Sequence, residues 1–222
     1  MSSPESIAEP ARLERPRLRG VLHQFGFVAA CGVGSVLVAV VDGRRLVAAA
    51  VFAGSAAAML GASALYHRVT WSPRARLRMR RVDHAGIYVL IAGTYTAVGL
   101  LGLHGSLQHV VLGVVWGGAG VGILVKLCWV AAPKWLSAVV GVALGWVGIV
   151  AMPQLLRAAG PAAVALLGAG GLLYTAGAVV YARRRPDPYP AVFGYHEVFH
   201  ALTLAALACQ YVAIAFFVVR VG

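Results

Sequence analysis

Five side chains from three stretches of the sequence could do chemistry together. His196 and His200 stand four residues apart, so on a helix their Cβ atoms lie about 5–6 Å from each other on one face. Two imidazoles so placed can converge on one divalent ion at about 2.0–2.1 Å per nitrogen. His67, arriving on another helix, would complete the three-ligand, open-position arrangement of catalytic zinc, in which bound water reaches a pKa of about 7. Asp83 could take a proton from that water and return it to a leaving amine. Ser63 lies one turn before His67 on the same face and could hydrogen-bond the water or a substrate carbonyl.

Each of these residues also has a plainer reading. A single histidine at a helix end is commonly interfacial, Asp83 can neutralise Arg80 or Arg81, and Ser63 can bond back to its own helix. His84 turns about 100° away from Asp83 on an ideal helix and reads as interfacial. His196-Glu197-Val198-Phe199-His200 also matches H-E-x-x-H, the zinc-protease helix whose Glu is the general base. Glu197 is therefore a secondary base candidate or an interfacial charge. No His, Asp or Glu follows His200, so a protease of this kind would need an upstream third ligand, against the usual order. Cys31, Cys128 and Cys209 are isolated in apolar runs, with no C-x-x-C pair, and read as small core residues.

The elements that must position these groups follow from composition. Of 222 residues, 60% are hydrophobic and 12% charged, with mean hydropathy +0.82. A soluble domain is about 45–50% apolar and about 25% charged, so the chain belongs in a membrane. A spanning helix takes about 20 residues, and seven apolar runs stand at 21–41, 46–66, 84–103, 109–131, 136–156, 162–182 and 193–219. They are continuous and roughly twice the length of barrel strands, so they are helices. The first run exceeds a signal-peptide h-region of about 7–15 residues. Val28-Ala29-Ala30-Cys31 resembles a lipoprotein box but sits inside that run. The expected architecture is an all-α membrane protein. It has a polar basic arm over 1–20, a seven-helix bundle over 21–219, and no room for a separate soluble catalytic domain.

Charge then orients the bundle. With the amino terminus cytoplasmic, fifteen of the nineteen basic residues fall inside, and only Arg44, Arg45, Arg157 and Arg220 fall outside. The positive-inside rule favours that orientation, with the carboxyl terminus outside. The net charge of +12 is thus a membrane address with affinity for anionic lipid, and nucleic-acid binding is not expected. Span two ends inside, while spans three and seven begin there. His67, Asp83, His196 and His200 therefore share one cytoplasmic layer, where ionisable groups are functional candidates by default. A channel or transporter would want polar residues at the midplane, which is mostly Ala, Val, Leu and Gly.

At these residues a family pattern emerges. Ser63-Ala64-Leu65-Tyr66-His67-Arg68, then Asp83-His84-Ala85-Gly86-Ile87-Tyr88 running on to Ala92-Gly93-Thr94-Tyr95-Thr96, and finally Gly194-Tyr195-His196-Glu197-Val198-Phe199-His200 resemble the bacterial hemolysin III family. That family is grouped with the progestin and adipoQ receptors and is more distantly similar to alkaline ceramidases. The resemblance covers about residues 18–220. It implies Zn2+ near the cytoplasmic face on His67, His196 and His200, with Asp83 holding the zinc-bound water and Ser63 assisting. It further implies a zinc-dependent hydrolase of lipid amide or ester bonds in the cell membrane. The alternative is a cytolytic or sensor protein with structural zinc. The expected partner is a lipid-like substrate. A protein hormone is not expected, because the outside loops are only a handful of residues long. The sequence leaves the oligomeric state open.

Overall fold

The computed structural model describes residues 16–129 and 132–221. Arg12, Arg15 and the three glutamates of the polar arm lie outside the described residues. Seven α-helices follow one another: α1 (Val21–Ala39), α2 (Gly43–Arg68), α3 (Pro73–Gly102), α4 (Gly105–Cys128), α5 (Lys134–Trp146), α6 (Met152–Arg183) and α7 (Tyr195–Ala213). A 3-10 stretch, Val147–Ala151, joins α5 to α6, and a π turn, Ile214–Val218, closes α7. Among the described residues there is no strand, only an isolated bridge between Tyr189 and Phe193. The chain is all-helical, as expected.

Six apolar helical segments are long enough to cross a membrane, and one of them runs 49 residues from Trp135 to Arg183. At 1.5 Å per residue that segment would be about 74 Å long if straight, more than twice the hydrocarbon core of about 30 Å. It is not straight. Gly160 leaves the helix at φ 84° and ψ 173°, immediately before Pro161, whose ring displaces a helical hydrogen bond.

Helix α3 occupies the centre. It supplies Leu90, Ala97, Val98 and Leu101 to a core shared with α1, α2, α6 and α7. It also supplies Tyr88 and Ala92 to a second core shared with α4, α5 and the 3-10 stretch. The outward faces keep Val28, Val36, Val121, Leu124, Leu172 and Phe216 exposed, as a lipid-facing surface requires. Helices α2 and α3 touch closely where α3 carries glycine. A Cβ on Gly93 would stand 1.9 Å from Ser55 Oγ, and one on Gly86 would stand 3.2 Å from the Met59 Cα. Small residues permit this approach in membranes. Carried one turn further, the antiparallel register brings the Ser63 end of α2 beside Asp83 of α3.

One boundary differs from expectation. The apolar run of span three begins at 84, but α3 begins at Pro73, so Asp83 lies in the third turn rather than opening the helix. Ser72 caps it, its Oγ accepting from the Ala75 N–H at 3.4 Å, with Pro73 at the first helical position. Hydropathy locates apolar surface and does not register a basic helical extension. The Ser-Pro start signal does.

Candidate metal centre

The carboxyl end of α2 and the amino end of α7 meet at one end of the bundle. There His67, His196 and His200 bring ring nitrogens within 4.8 Å of one another. His67 Nε2 and His196 Nε2 are 3.2 Å apart. Two nitrogens bound tetrahedrally at about 2.05 Å would be separated by about 3.3 Å, so the pair already stands at ligand spacing. The rings meet edge to face, with centroids 4.8 Å apart for His67–His196 and 4.5 Å for His196–His200. His200 is only 2% exposed, and the other two are half-buried. The residues present fit a divalent ion held by three imidazoles.

Ser63 and Asp83 stand beside this cluster rather than in it. Ser63, buried, is hydrogen-bonded to the Asp83 side chain and to His23 Nδ1 at 2.8 Å. An ionised carboxylate accepts only. With Asp83 ionised and His23 protonated at Nδ1, the Ser63 hydroxyl donates to Asp83 and His23 Nδ1–H donates to Ser63 Oγ. The plainer reading, a serine bonded back to its own helix, is not what the structure shows.

His23, in the first turn of α1, also reaches the centre. It is 2% exposed, and its ring stacks on His200 with centroids 3.6 Å apart and planes 10° from parallel. Two neighbours on the same segment also hold the centre. Arg19 Nε pairs with Glu197 Oε1 at 2.6 Å. Gly20, at φ 79°, lies so close to α2 that a Cβ there would be 2.4 Å from the His67 Cβ. The segment is tied further by Arg17 and Leu18 N–H groups donating to the carbonyls of Ala191 and Val192 at 3.0 and 3.1 Å. The signal available in sequence was Arg19-Gly20-x-x-His23, which places three such residues within about one helical turn.

Two expectations are corrected. Glu197 is neither a base nor an interfacial charge. It is 1% exposed, its second oxygen accepts from the Gly194 N–H at 3.0 Å, and the pair with Arg19 consumes the first. The H-E-x-x-H reading loses its general base because both Glu197 oxygens are engaged away from the cluster, by Arg19 and by the Gly194 N–H. His84 is not interfacial either. Its Nδ1 donates to the Arg80 carbonyl at 2.6 Å, and its ring lines a cavity.

That cavity, about 200 Å³, opens beside the cluster and runs between α3, α5, α6 and α7. His196, His200, Ser63 and Asp83 line one end, while Val98, Leu155 and Leu167 line the depth. Thr94, Tyr174, Thr175 and Gln210 add polar groups to a lining that is otherwise mostly apolar. The arrangement suits an amphiphile with its reactive group at the imidazoles and an apolar chain along the bundle.

Comparison with known proteins agrees with this picture. Residues 11–211 match the family described as haemolysin-III related. The "Hemolysin-3 homolog" of Bacillus subtilis (strain 168) is 33% identical over 159 residues, covering 72% of this chain and 71% of the relative. The "Hemolysin-3" of Bacillus cereus is 31% identical over 156 residues, covering 70% and 68%.

Proposed function

The chain belongs to the haemolysin III-related family and is a multi-pass integral membrane protein. On that premise we propose that it is a zinc-dependent hydrolase of amide or ester bonds in lipids. His67, His196 and His200 hold the metal. In this reading the long fifth segment turns back at Gly160–Pro161, so the bundle has seven spans. The amino terminus and the metal end then face the cytoplasm, in keeping with the basic residues around them.

The observation that carries the proposal is the meeting of a three-imidazole cluster, a half-buried carboxylate and an apolar cavity at one place. Zinc held there would supply a Lewis acid and a water nucleophile at neutral pH. Asp83 accepts the proton of the attacking water and delivers it to the departing amine or alkoxide. Ser63 donates to Asp83 and fixes which carboxylate oxygen faces the reaction. The apolar walls hold the acyl chain so that its carbonyl lies among the imidazoles, and they exclude bulk water from the site.

The test is turnover. Purified zinc-loaded protein should release fatty acid from acyl-amide or acyl-ester lipids, and Asp83→Asn should keep its metal while losing at least 100-fold in rate. No release from a broad lipid panel by metal-replete protein would overturn the reading. The names of the two relatives favour a second reading, membrane lysis with zinc as a structural clamp. It predicts that His67→Ala loses lysis and thermal stability together, with no turnover to lose and Asp83→Asn indistinguishable from wild type.

A further inference from the structure

Lys126 is the one lysine or arginine that lines the cavity, and nothing in the reaction described above uses it. It lies in the last turn of α4 and is 4% exposed. Its depth follows from helix register. Gly122 packs against Tyr88, a Cβ there falling 2.6 Å from Tyr88 Cε1. Helices α3 and α4 are antiparallel neighbours. One turn along each from this contact sets Lys126 opposite His84, in the layer of Asp83 and the imidazole cluster. A lysine at a helix end usually snorkels to the interface. This one instead donates from Nζ to Ser137 Oγ of α5 across the cavity wall.

Its charge has no partner. Among the described residues the ion pair formed is Arg19–Glu197, and no carboxylate lies within 4.0 Å of Lys126. The nearest charge acting on it is a second cation, Arg80. Lys126 and Asp83 both line the cavity, and Arg80 acts on each of them from outside its lining. A buried ammonium without a counter-ion is costly unless a ligand supplies one.

We propose that Lys126 and Ser137 form an anion subsite for the phosphate of a lipid whose acyl chain occupies the cavity. A lysine ammonium binds phosphate as a point charge, and Ser137, which accepts from Lys126 and also lines the cavity, keeps its hydroxyl proton to donate. The substrate class is thereby narrowed to acyl lipids with a phosphate-bearing headgroup. This rests on the cavity being the lipid site, but not on the bond being cleaved there.

A binding measurement separates the two. Dodecyl phosphate and dodecanol are titrated into zinc-loaded protein in nonionic detergent, with tryptophan fluorescence as the readout. Wild type should bind the phosphate at least 10-fold more tightly than the alcohol. Lys126→Met should reduce that preference to within 2-fold, Lys126→Arg should retain it, and Ser137→Ala should weaken it about 3-fold. The Ser137 and arginine variants keep the test decisive if Lys126→Met does not fold. The preference should also survive in His200→Ala protein stripped of metal. An unchanged preference in Lys126→Met, or its loss only on metal removal, would overturn the subsite. Inorganic phosphate competing as well as dodecyl phosphate would overturn the lipid headgroup as the source of the anion. Absence of lipid hydrolysis with the binding preference intact would strike the hydrolase reading alone.

Discussion

Both ends of this bundle carry histidines, yet they use them oppositely. At the end where α3 meets α4, His109 Nδ1 donates to the carbonyl of Gly105 on its own helix at 3.0 Å, and the ring is exposed. His104 contributes its backbone N–H, which donates to Gln154 Oε1 at 3.1 Å. Gln108 is buried, but it spends its amide on the Gly99 carbonyl at 2.7 Å. Each of these three groups bonds to a neighbour close to its own end of the bundle. At the other end three imidazoles on two helices turn their nitrogens toward each other, with a fourth ring stacked on them. Neutral imidazoles each need a donor and an acceptor arranged around them. Three rings whose nitrogens converge within 4.8 Å are placed to share a cation.

The largest test of that contrast is metal content. Exchanging His67, His196 or His200 for alanine should each lower bound zinc at least 10-fold, while His104→Ala and His109→Ala should leave it unchanged. Elemental analysis of the purified proteins decides it, and full zinc in His200→Ala would dissolve the distinction between the two ends. Chelation should act in the same direction. Metal-free wild type should melt several degrees lower, because binding to the native state alone adds RT ln(1 + [L]/Kd) to stability. His67→Ala protein should be indifferent to chelator.

Next in size is the pair that ties α1 to α7. Removing one partner of a buried ion pair costs about 3–5 kcal/mol. Arg19 is partly exposed, so Arg19→Met belongs toward the low end, and Glu197→Gln should fall near it. The Gln154 contact at the opposite end is a single neutral hydrogen bond worth about 1 kcal/mol. Chemical denaturation in detergent should show that gap. Equal losses at both ends would mean the Arg19–Glu197 pair is no more than a surface contact.

Two glycines refine the comparison. Gly20 and Gly105 both adopt positive φ, at 79° and 66°, so alanine at either pays the left-handed strain of about 1–2 kcal/mol. Only at Gly20 would the new Cβ also collide, 2.4 Å from His67. At Gly105 nothing lies within 4 Å. Gly20→Ala should therefore lower stability further than Gly105→Ala and also weaken zinc binding, because relief of the clash must move a ligand. Unaltered zinc affinity in Gly20→Ala would show that α1 does not position His67.

Much of this was legible in the chain. Apolar runs located the helices, and the pooling of His67, Asp83, His196 and His200 at one depth followed from where those runs ended. What escaped was whatever depended on rotation rather than depth. His23, Arg19 and Lys126 lie at helix ends, and a hydropathy profile cannot say that such a residue faces inward. Gly20 escaped because its role is the space it leaves for His67, which no property of glycine itself announces. Glu197 escaped for the complementary reason. Its motif suggested a base, but Arg19, reaching across from the segment before α1, takes up the carboxylate.

The finest separation concerns His23, where rate and stability should part. His23→Phe keeps an aromatic ring against His200 and removes the Nδ1 donor to Ser63. Stability should fall by only about 1 kcal/mol, the value of one hydrogen bond, and zinc content should not change, since His23 is not among the three ligands. What it loses is the donor that holds Ser63 toward Asp83. Turnover should therefore drop about 10-fold, and Ser63→Ala should drop it to a similar extent. Because the two residues act through one chain of hydrogen bonds, the double variant should be little slower than either single one. Additive losses would mean that His23 and Ser63 serve the site separately. An unchanged rate in His23→Phe would reduce the stacked ring to packing, leaving the metal end distinguished from the other by its three ligands alone.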